Sequence, residues 1–188
     1  MFPSHDKGLW VTDGEQDISS IIIDGYNLMG VHHQDLRARR EKLIDLLIEY
    51  GKEKRHGIVL VFDGWKEGGG AESSSVRGGV TVIYSRIGEK ADSVIKRIIS
   101  SDRREWIVVT SDRDIAGHAW ATGSIPIPSG TFAPFIEEGK EKDETGIPWE
   151  QNGDEVEDGR EVRRYGQGNA LRLSKKERAI RRVLGKLR

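Results

Sequence analysis

The sequence predicts an α/β fold with a mostly parallel central sheet. Three observations carry this. Short apolar runs rich in β-branched residues recur at 21–23, 58–62, 80–84 and 106–109, and consecutive apolar positions over so few residues are the pattern of strands buried on both faces. Segments with helical spacing of apolar residues alternate with most of them, as helical crossovers between parallel strands require. Acidic residues follow three of the runs, at Asp24, Asp63 and Asp112, where the carboxyl ends of parallel strands gather on one side of a sheet.

Taken in order, residues 1–17 are polar and irregular and are expected to form a loose arm. Residues 18–24 form the first strand. Residues 36–55 read as a helix: Leu36, Leu43, Leu47 and Tyr50 are spaced by three, four or seven, among the polar Arg37, Arg39, Arg40, Glu41 and Lys42, and Gly57 ends it. Residues 58–62 are the second strand. Residues 64–79, rich in Gly and Ser, are expected to be a long loop. Residues 80–84 are the third strand. A helix over 91–100 carries Val94, Ile95, Ile98 and Ile99 on one face. Residues 106–110 are the fourth strand and about 114–121 the next helix. Residues 124–127 are a short fifth strand, placed at a sheet edge by Pro126, and 131–138 a last helix. The globular domain is thus 18–138. Residues 139–170 read as a flexible acidic linker and 171–188 as a basic helix. In that helix Ser174 and Glu177 have capping-box spacing, and Leu173, Ile180, Leu184 and Leu187 line one side, with Arg172, Lys175, Lys176, Arg178, Arg181, Arg182 and Arg188 around them.

Bulk composition fits one domain with polar appendages: 188 residues, 36% hydrophobic and 32% charged. The net charge of −1 conceals an asymmetry. Residues 137–159 hold ten acids against two lysines, and residues 160–188 hold eleven bases against two acids. The absence of cysteine excludes disulfides and thiolate metal sites and fits a reducing compartment. The first residues lack the apolar run of a signal peptide, and no apolar stretch approaches the ~20 residues that span a bilayer. A cytoplasmic protein with no membrane partner is expected.

Asp24, Asp63 and Asp112 should face one crevice, and Asp92 can join them from the first turn of the helix after the third strand. Carboxylates gathered in this way repel one another unless a cation neutralises them, and Mg²⁺ or Mn²⁺ suits an all-oxygen donor set. A metal there lowers the pKa of a bound water and polarises a phosphoryl oxygen, which points to phosphodiester chemistry. Asn27 can hold a water or a phosphate oxygen. Ser111 and the helix N-terminus after Asp112 can donate to a phosphate. Lys66, Arg86, Lys90 and Arg113 are candidate phosphate contacts or solvated surface charges. Trp65 is a candidate for stacking on a base or for packing against the glycine loop. Each acid also has a plain structural reading: Asp63-Gly64 as a turn, Asp112 or Asp114 as a helix cap, Asp92 as a first-turn acid. Their coincidence on one sheet edge favours a shared site. Competing chemistries lack their marks. There is no G-x-x-x-x-G-K-[ST], no G-x-G-x-x-G after a strand and no G-x-S-x-G. Tyr26 stands where an aspartyl-nucleophile phosphatase commonly has its second acid, and no histidine has zinc-ligand spacing.

The segments Asp24-Gly25-Tyr26-Asn27, Phe62-Asp63, Ala91-Asp92 and Thr110-Ser111-Asp112-Arg113 resemble the NYN domain, and within it the YacP-like branch of the PIN-like nuclease superfamily, over roughly residues 19–138. The resemblance implies a PIN-like three-layer sandwich and a metal-dependent endoribonuclease using Mg²⁺ or Mn²⁺. In the YacP-like branch it also implies action on ribosome-associated RNA. The same resemblance matches Asp24 to the first-strand metal ligand, Asn27 to the active-site asparagine, and Asp63, Asp92 and Asp112 to the acids after the second strand, opening the central helix and after the fourth strand; Asp24, Asp92 and Asp112 are then expected to bind the ion, with Asp63 and Asn27 completing the catalytic set. Asn27 is also an expected substrate contact, with Ser111, Arg113, Lys66 and Lys90 the candidates read from the residues themselves, and Asp114 is a weaker extra candidate for the acid set. The chain departs from the family pattern after residue 121 and in its acidic linker and basic helix. A competing expectation is a non-catalytic RNA-binding or ribosome-docking adaptor that uses the basic tail. The plain alternative for the tail is a helix folded back on the domain or on a second subunit, and a homodimer is left open.

Overall fold

Three consecutive isoleucines divide the molecule. In β1 (Ser20–Asp24), Ile21 and Ile23 enter one hydrophobic core and Ile22 enters another, and all three are fully buried. Alternation of side chains across a strand makes this unavoidable, so β1 must lie inside the sheet with helices on both faces. The computed structural model describes residues 19–30, 35–64, 70–102, 104–137 and 174–188. The expected arm at 1–17, the linker at 139–170, residues 171–173 of the basic tail, Trp65 and Lys66 lie outside the described residues.

The remaining elements are α1 (Gly25–Met29), α2 (Leu36–Lys54), β2 (Gly57–Phe62), β3 (Ser73–Arg77), β4 (Val80–Tyr84), α3 (Ala91–Ser101), β5 (Trp106–Val109), α4 (Arg113–Ala121), β6 (Ile125–Ile127), α5 (Ser129–Glu137) and α6 (Lys175–Lys186). The sheet order is β3-β4-β2-β1-β5-β6, parallel throughout except for the antiparallel pair β3–β4. Residues of α1, α2, α5 and α6 pack in the core with Ile21 and Ile23. Residues of α3 and α4 pack with Ile22 on the opposite face. Strands β2 and β4 build outward on one side of β1 while β5 and β6 build on the other. β1 is therefore the place where the winding reverses, and in such sheets ligands bind beyond the carboxyl ends of the strands at that reversal.

Four elements differ from the sequence expectation, α6 among them. The loop expected over 64–79 contains β3, joined to β4 through Gly78 and Gly79 at φ 56° and 95°. Two left-handed residues in succession make a tight hairpin, and glycine supplies them without steric cost. The strand itself is hard to read because four of its five residues are exposed, so no apolar alternation marks it. The five-residue α1 follows β1 directly, with Asp24 as its N-cap. Helix α5 begins at Ser129, two residues earlier than expected. β6 does lie at a sheet edge, where Pro126 is tolerated beside Val108.

Helix α6 starts at Lys175, four residues later than expected, behind a complete Ser174–Glu177 capping box. It folds back on the domain. Val183 and Leu187 are buried, and Ile180 and Leu184 pack partly against the same core. The Tyr50 hydroxyl donates to the Leu187 carbonyl at 3.0 Å, and His56 Nε2 lies 3.2 Å from the Lys186 carbonyl. His56 precedes β2, so these contacts hold α6 at the amino ends of the strands, away from Asp24.

Candidate functional site

Asp24 ends β1 at the winding reversal. It keeps part of its surface open, but its carboxyl is packed round by protein, and this burial pushes its pKa up to about 6. The Asn27 N–H, donating to Asp24 Oδ1 at 3.2 Å, pulls the other way. The negative charges of Asp63, Asp92 and Asp112 then add to the rise. The four acids singled out in the sequence are thus electrostatic neighbours, with Asp24 in common. Among the described residues, no three acidic or histidine side chains are gathered closely enough to grip one ion as they stand.

Each of the other acids is also held by a helix. Asp63, just beyond β2, accepts from Ala91 N at 2.5 Å and so caps α3, whose own N-cap residue Lys90 offers no side-chain bond. Asp92 follows one residue later in α3, with Lys96 Nζ 3.6 Å from its Oδ2. Asp112 caps α4, accepting from Asp114 N at 2.7 Å and Ile115 N at 3.1 Å through one oxygen. The turn and cap readings of these residues therefore hold alongside the site reading, since a carboxylate has a second oxygen and further lone pairs. The N–H groups expected at the start of α4 for phosphate are partly taken by Asp112 itself.

Asn27 joins three carboxyl-end loops. Its Oδ1 accepts from Ser111 N at 2.7 Å and from Ser129 Oγ at 2.6 Å, and Ser129 N donates to Ser111 Oγ at 3.2 Å. Ser129 is buried and was not among the sequence candidates. Ser85 was also missed. Buried between the loops after β2 and β4, it accepts from Gly64 N at 2.9 Å and donates to the Glu89 carbonyl at 2.6 Å, which fixes the loop next to Asp63. Gly25 is required by packing: a Cβ there would lie 2.3 Å from Phe62 Cε1. The ring of Tyr26 meets Phe62 edge-on at 5.2 Å, and its hydroxyl accepts from the buried Arg40 at 3.1 Å. The Asp-Gly-Tyr-Asn segment thus comprises a carboxylate, a space, an anchor and a loop tie.

A family model described as the YacP-like NYN domain matches residues 21–178. The chain belongs to this family. The YacP-like NYN family lies within the PIN-like nucleases, and membership supports a nuclease-type function. Two crystal structures of Rae1 (YacP) from Bacillus subtilis share the fold. One, of a mutant carrying a single tryptophan-to-leucine change, matches at TM-score 0.52 and 23% identity, over 64% of this chain and 76% of that one. The other matches at TM-score 0.51 and 21% identity, over 65% and 74%. The curated proteins give no match. The fold of this YacP-like NYN chain is accordingly PIN-like.

Of the basic candidates, Lys90 and Arg113 are exposed at the starts of α3 and α4, beside Asp92 and Asp112 in sequence. Arg86 pairs with Glu89 at 3.3 Å. Asp114 is bonded to Lys96, which holds its carboxyl below the usual range, so it belongs to an ion pair on the flank. Lys96, missed in the sequence, stands between Asp114 and Asp92. For a cation, the YacP-like NYN site offers an all-carboxylate donor set with one member already disfavoured as an anion. That chemistry fits a hard divalent ion. Mg²⁺ keeps several waters and takes only one or two carboxylates directly, which suits acids that are neighbours without forming a closed cage. Among the described residues no helix is long and apolar enough to cross a membrane.

Proposed function

We propose that this protein is a metal-dependent endoribonuclease that hydrolyses RNA phosphodiester bonds. The observation that carries the reading is the Asp24 carboxyl, packed in protein and facing the charges of three further carboxylates. Capping accounts for Asp24, Asp63 and Asp112 one by one, but not for gathering their charges round one packed carboxyl, which a divalent cation relieves. Asp24, Asp92 and Asp112 are the proposed ligands of Mg²⁺ or Mn²⁺, directly or through water. Bound there, such an ion supplies an acidified water and neutralises charge on a phosphoryl oxygen.

The chain's own residues supply position and charge. Asp63 sets the start of α3 and with it Asp92. Asn27 Oδ1 is engaged by Ser111 and Ser129, which leaves its amide N–H groups to donate to a phosphate oxygen or to the attacking water. The Ser111 hydroxyl, the Arg113 guanidinium and the Lys90 ammonium are the proposed further contacts to the backbone of the substrate, with Lys66 a candidate outside the described residues. On the family resemblance, ribosome-associated RNA in the cytoplasm is the narrower form of the same proposal. A purely adaptor role rests on the basic tail alone and leaves the carboxylate cluster without a use.

The test is incubation of purified protein with structured RNA, unstructured RNA and ribosomes in Mn²⁺, Mg²⁺ or EDTA. Cleavage should need the divalent ion and be lost in Asp24→Asn/Asp112→Asn while RNA binding persists. Cleavage that survives EDTA, or runs equally in the double variant, rules the reading out.

A further inference from the structure

Helix α6 carries most of its charge on one side, with Lys176 apart from it over the Trp120 ring at 5.2 Å. Val183 and Leu187 are buried and Ala179, Ile180 and Leu184 pack partly against the core, while Lys175, Arg178, Arg181, Arg182 and Arg188 are exposed. At ~100° per residue, Lys175, Arg178, Arg181 and Arg182 share the arc opposite Ile180 and its apolar neighbours, and Arg188 follows just past the helix end. Glu177, the one acid of the helix, is taken up in the capping box through Ser174 N at 2.6 Å. Arg182 also pairs with Glu105 at 2.7 Å. Beside this arc, at the amino ends of β1 and β5, lies a cleft of about 230 Å³ whose lining includes Ser19, Ser20, Arg104, Lys186 and Glu105, the partner of Arg182. Arg104 reaches Ser20 Oγ at 3.3 Å and pairs with Asp102 at 2.5 Å.

Docking of the helix does not need these charges, because Val183, Leu187 and the Tyr50 hydroxyl already provide it. A chain with net charge −1 that gathers bases on one rigid face has built a positive field there. Its complement is a polyanion with regularly spaced charge. We infer that the outer face of α6, with the cleft beside it, is a second contact for the RNA backbone, separate from the carboxylate crevice. This rests on the reading of the protein as an enzyme acting on RNA. The crevice lies at the carboxyl ends of the strands and α6 at their amino ends. A five-residue strand is roughly 17 Å long, whereas an RNA of about four nucleotides cleaved at its centre runs only about two nucleotides to either side of Asp24, roughly 7 Å stacked and about 13 Å drawn out. Short RNA seated at Asp24 therefore does not reach α6, and long RNA does. The second contact makes the enzyme select for length.

The experiment compares the full chain with Arg178→Glu/Arg181→Glu. Binding of a single-stranded RNA of about 30 nucleotides is read by fluorescence anisotropy in EDTA over a range of salt, and turnover of an RNA of about four nucleotides is read in Mn²⁺. Loss of two phosphate contacts should weaken long-RNA binding ~10-fold and reduce the log–log salt slope by about 1.4. Short-substrate turnover should stay within about twofold. Unchanged long-RNA affinity and slope in a variant that melts like wild type overturns the inference, as does short-substrate turnover that falls in step with binding. Arg178→Gln/Arg181→Gln replaces the double reversal if that variant does not fold. Polyglutamate binding as tight as RNA would assign the face to an acidic protein and overturn the RNA assignment. Absence of any cleavage by wild type contradicts the nuclease reading, and the EDTA binding arm still decides the α6 contact.

Discussion

Asp24 is held where its ionised form is disfavoured, and this has a measurable sign. Its carboxyl titrates near 3.8 in an unfolded chain and at about 6 in the fold. Between those values the folded state holds a proton that the unfolded state lacks. Stability of the metal-free protein from this group therefore falls as pH rises from about 4 through 6, and is level above. Asp24→Asn removes that slope and keeps an N-cap for α1, since Asn caps as well as Asp. At pH 8 in EDTA the variant should be more stable than wild type, by on the order of 2–3 kcal/mol, and at pH 4 the two should be equal. Thermal melts at the two pH values check this. Equal melting at pH 8 would mean that the carboxyl is not desolvated as described. A second residue-scale expectation concerns Gly25. Gly25→Ala puts a methyl into Phe62, which is fully buried and stacks on Tyr84, so it should destabilise by about 1–3 kcal/mol in urea unfolding and disturb cleavage with it. The acids at 24, 63 and 112 were legible in the sequence because an acid after a buried run is a local pattern. Ser129 was not. It meets Asn27 from 102 positions away, and a serine at the start of a helix carries no mark of that partnership.

At the scale of elements, the strands buried on both faces were the easiest to read, because β-branched residues in succession have few other uses. β3 escaped because an exposed edge strand of serines lacks alternation and its hairpin lies in a glycine-rich stretch. Helix α6 was legible as a helix from its capping box, but its docking depends on Tyr50 and His56, far away in sequence. One consequence reaches experiment. Deleting the basic tail removes Val183 and Leu187 from the core, so loss of activity on deletion does not report on its charge. Leu187→Ala alone should cost about 2–5 kcal/mol in urea unfolding, while substitutions at the exposed Arg178 and Arg181 should leave stability within about 0.5 kcal/mol. A Leu187→Ala variant as stable as wild type would show that α6 is not part of the core.

For the whole molecule, the winding of the sheet determines what can meet. Reversal at β1 brings the end of β1, the loop after β2, the start of α3 and the start of α4 to one side, and the acids on those four elements become neighbours. It also separates that crevice from α6 by the length of the sheet. The sequence could show acids at strand ends, but not that Asp24 would be the member they share, since that follows from β1 lying between β2 and β5. The central claim is that these carboxylates form one cation site, and Mn²⁺ binding tests it without reference to any substrate. Titration of Mn²⁺ at pH 8, followed by electron paramagnetic resonance and by calorimetry, should show saturable binding by wild type. Asp24→Asn and Asp112→Asn should each weaken it at least ~10-fold, as loss of a ligand does, while Asp114→Asn leaves it near wild type. Mn²⁺ binding that is absent in wild type, or indifferent to Asp24 and Asp112, would contradict the account.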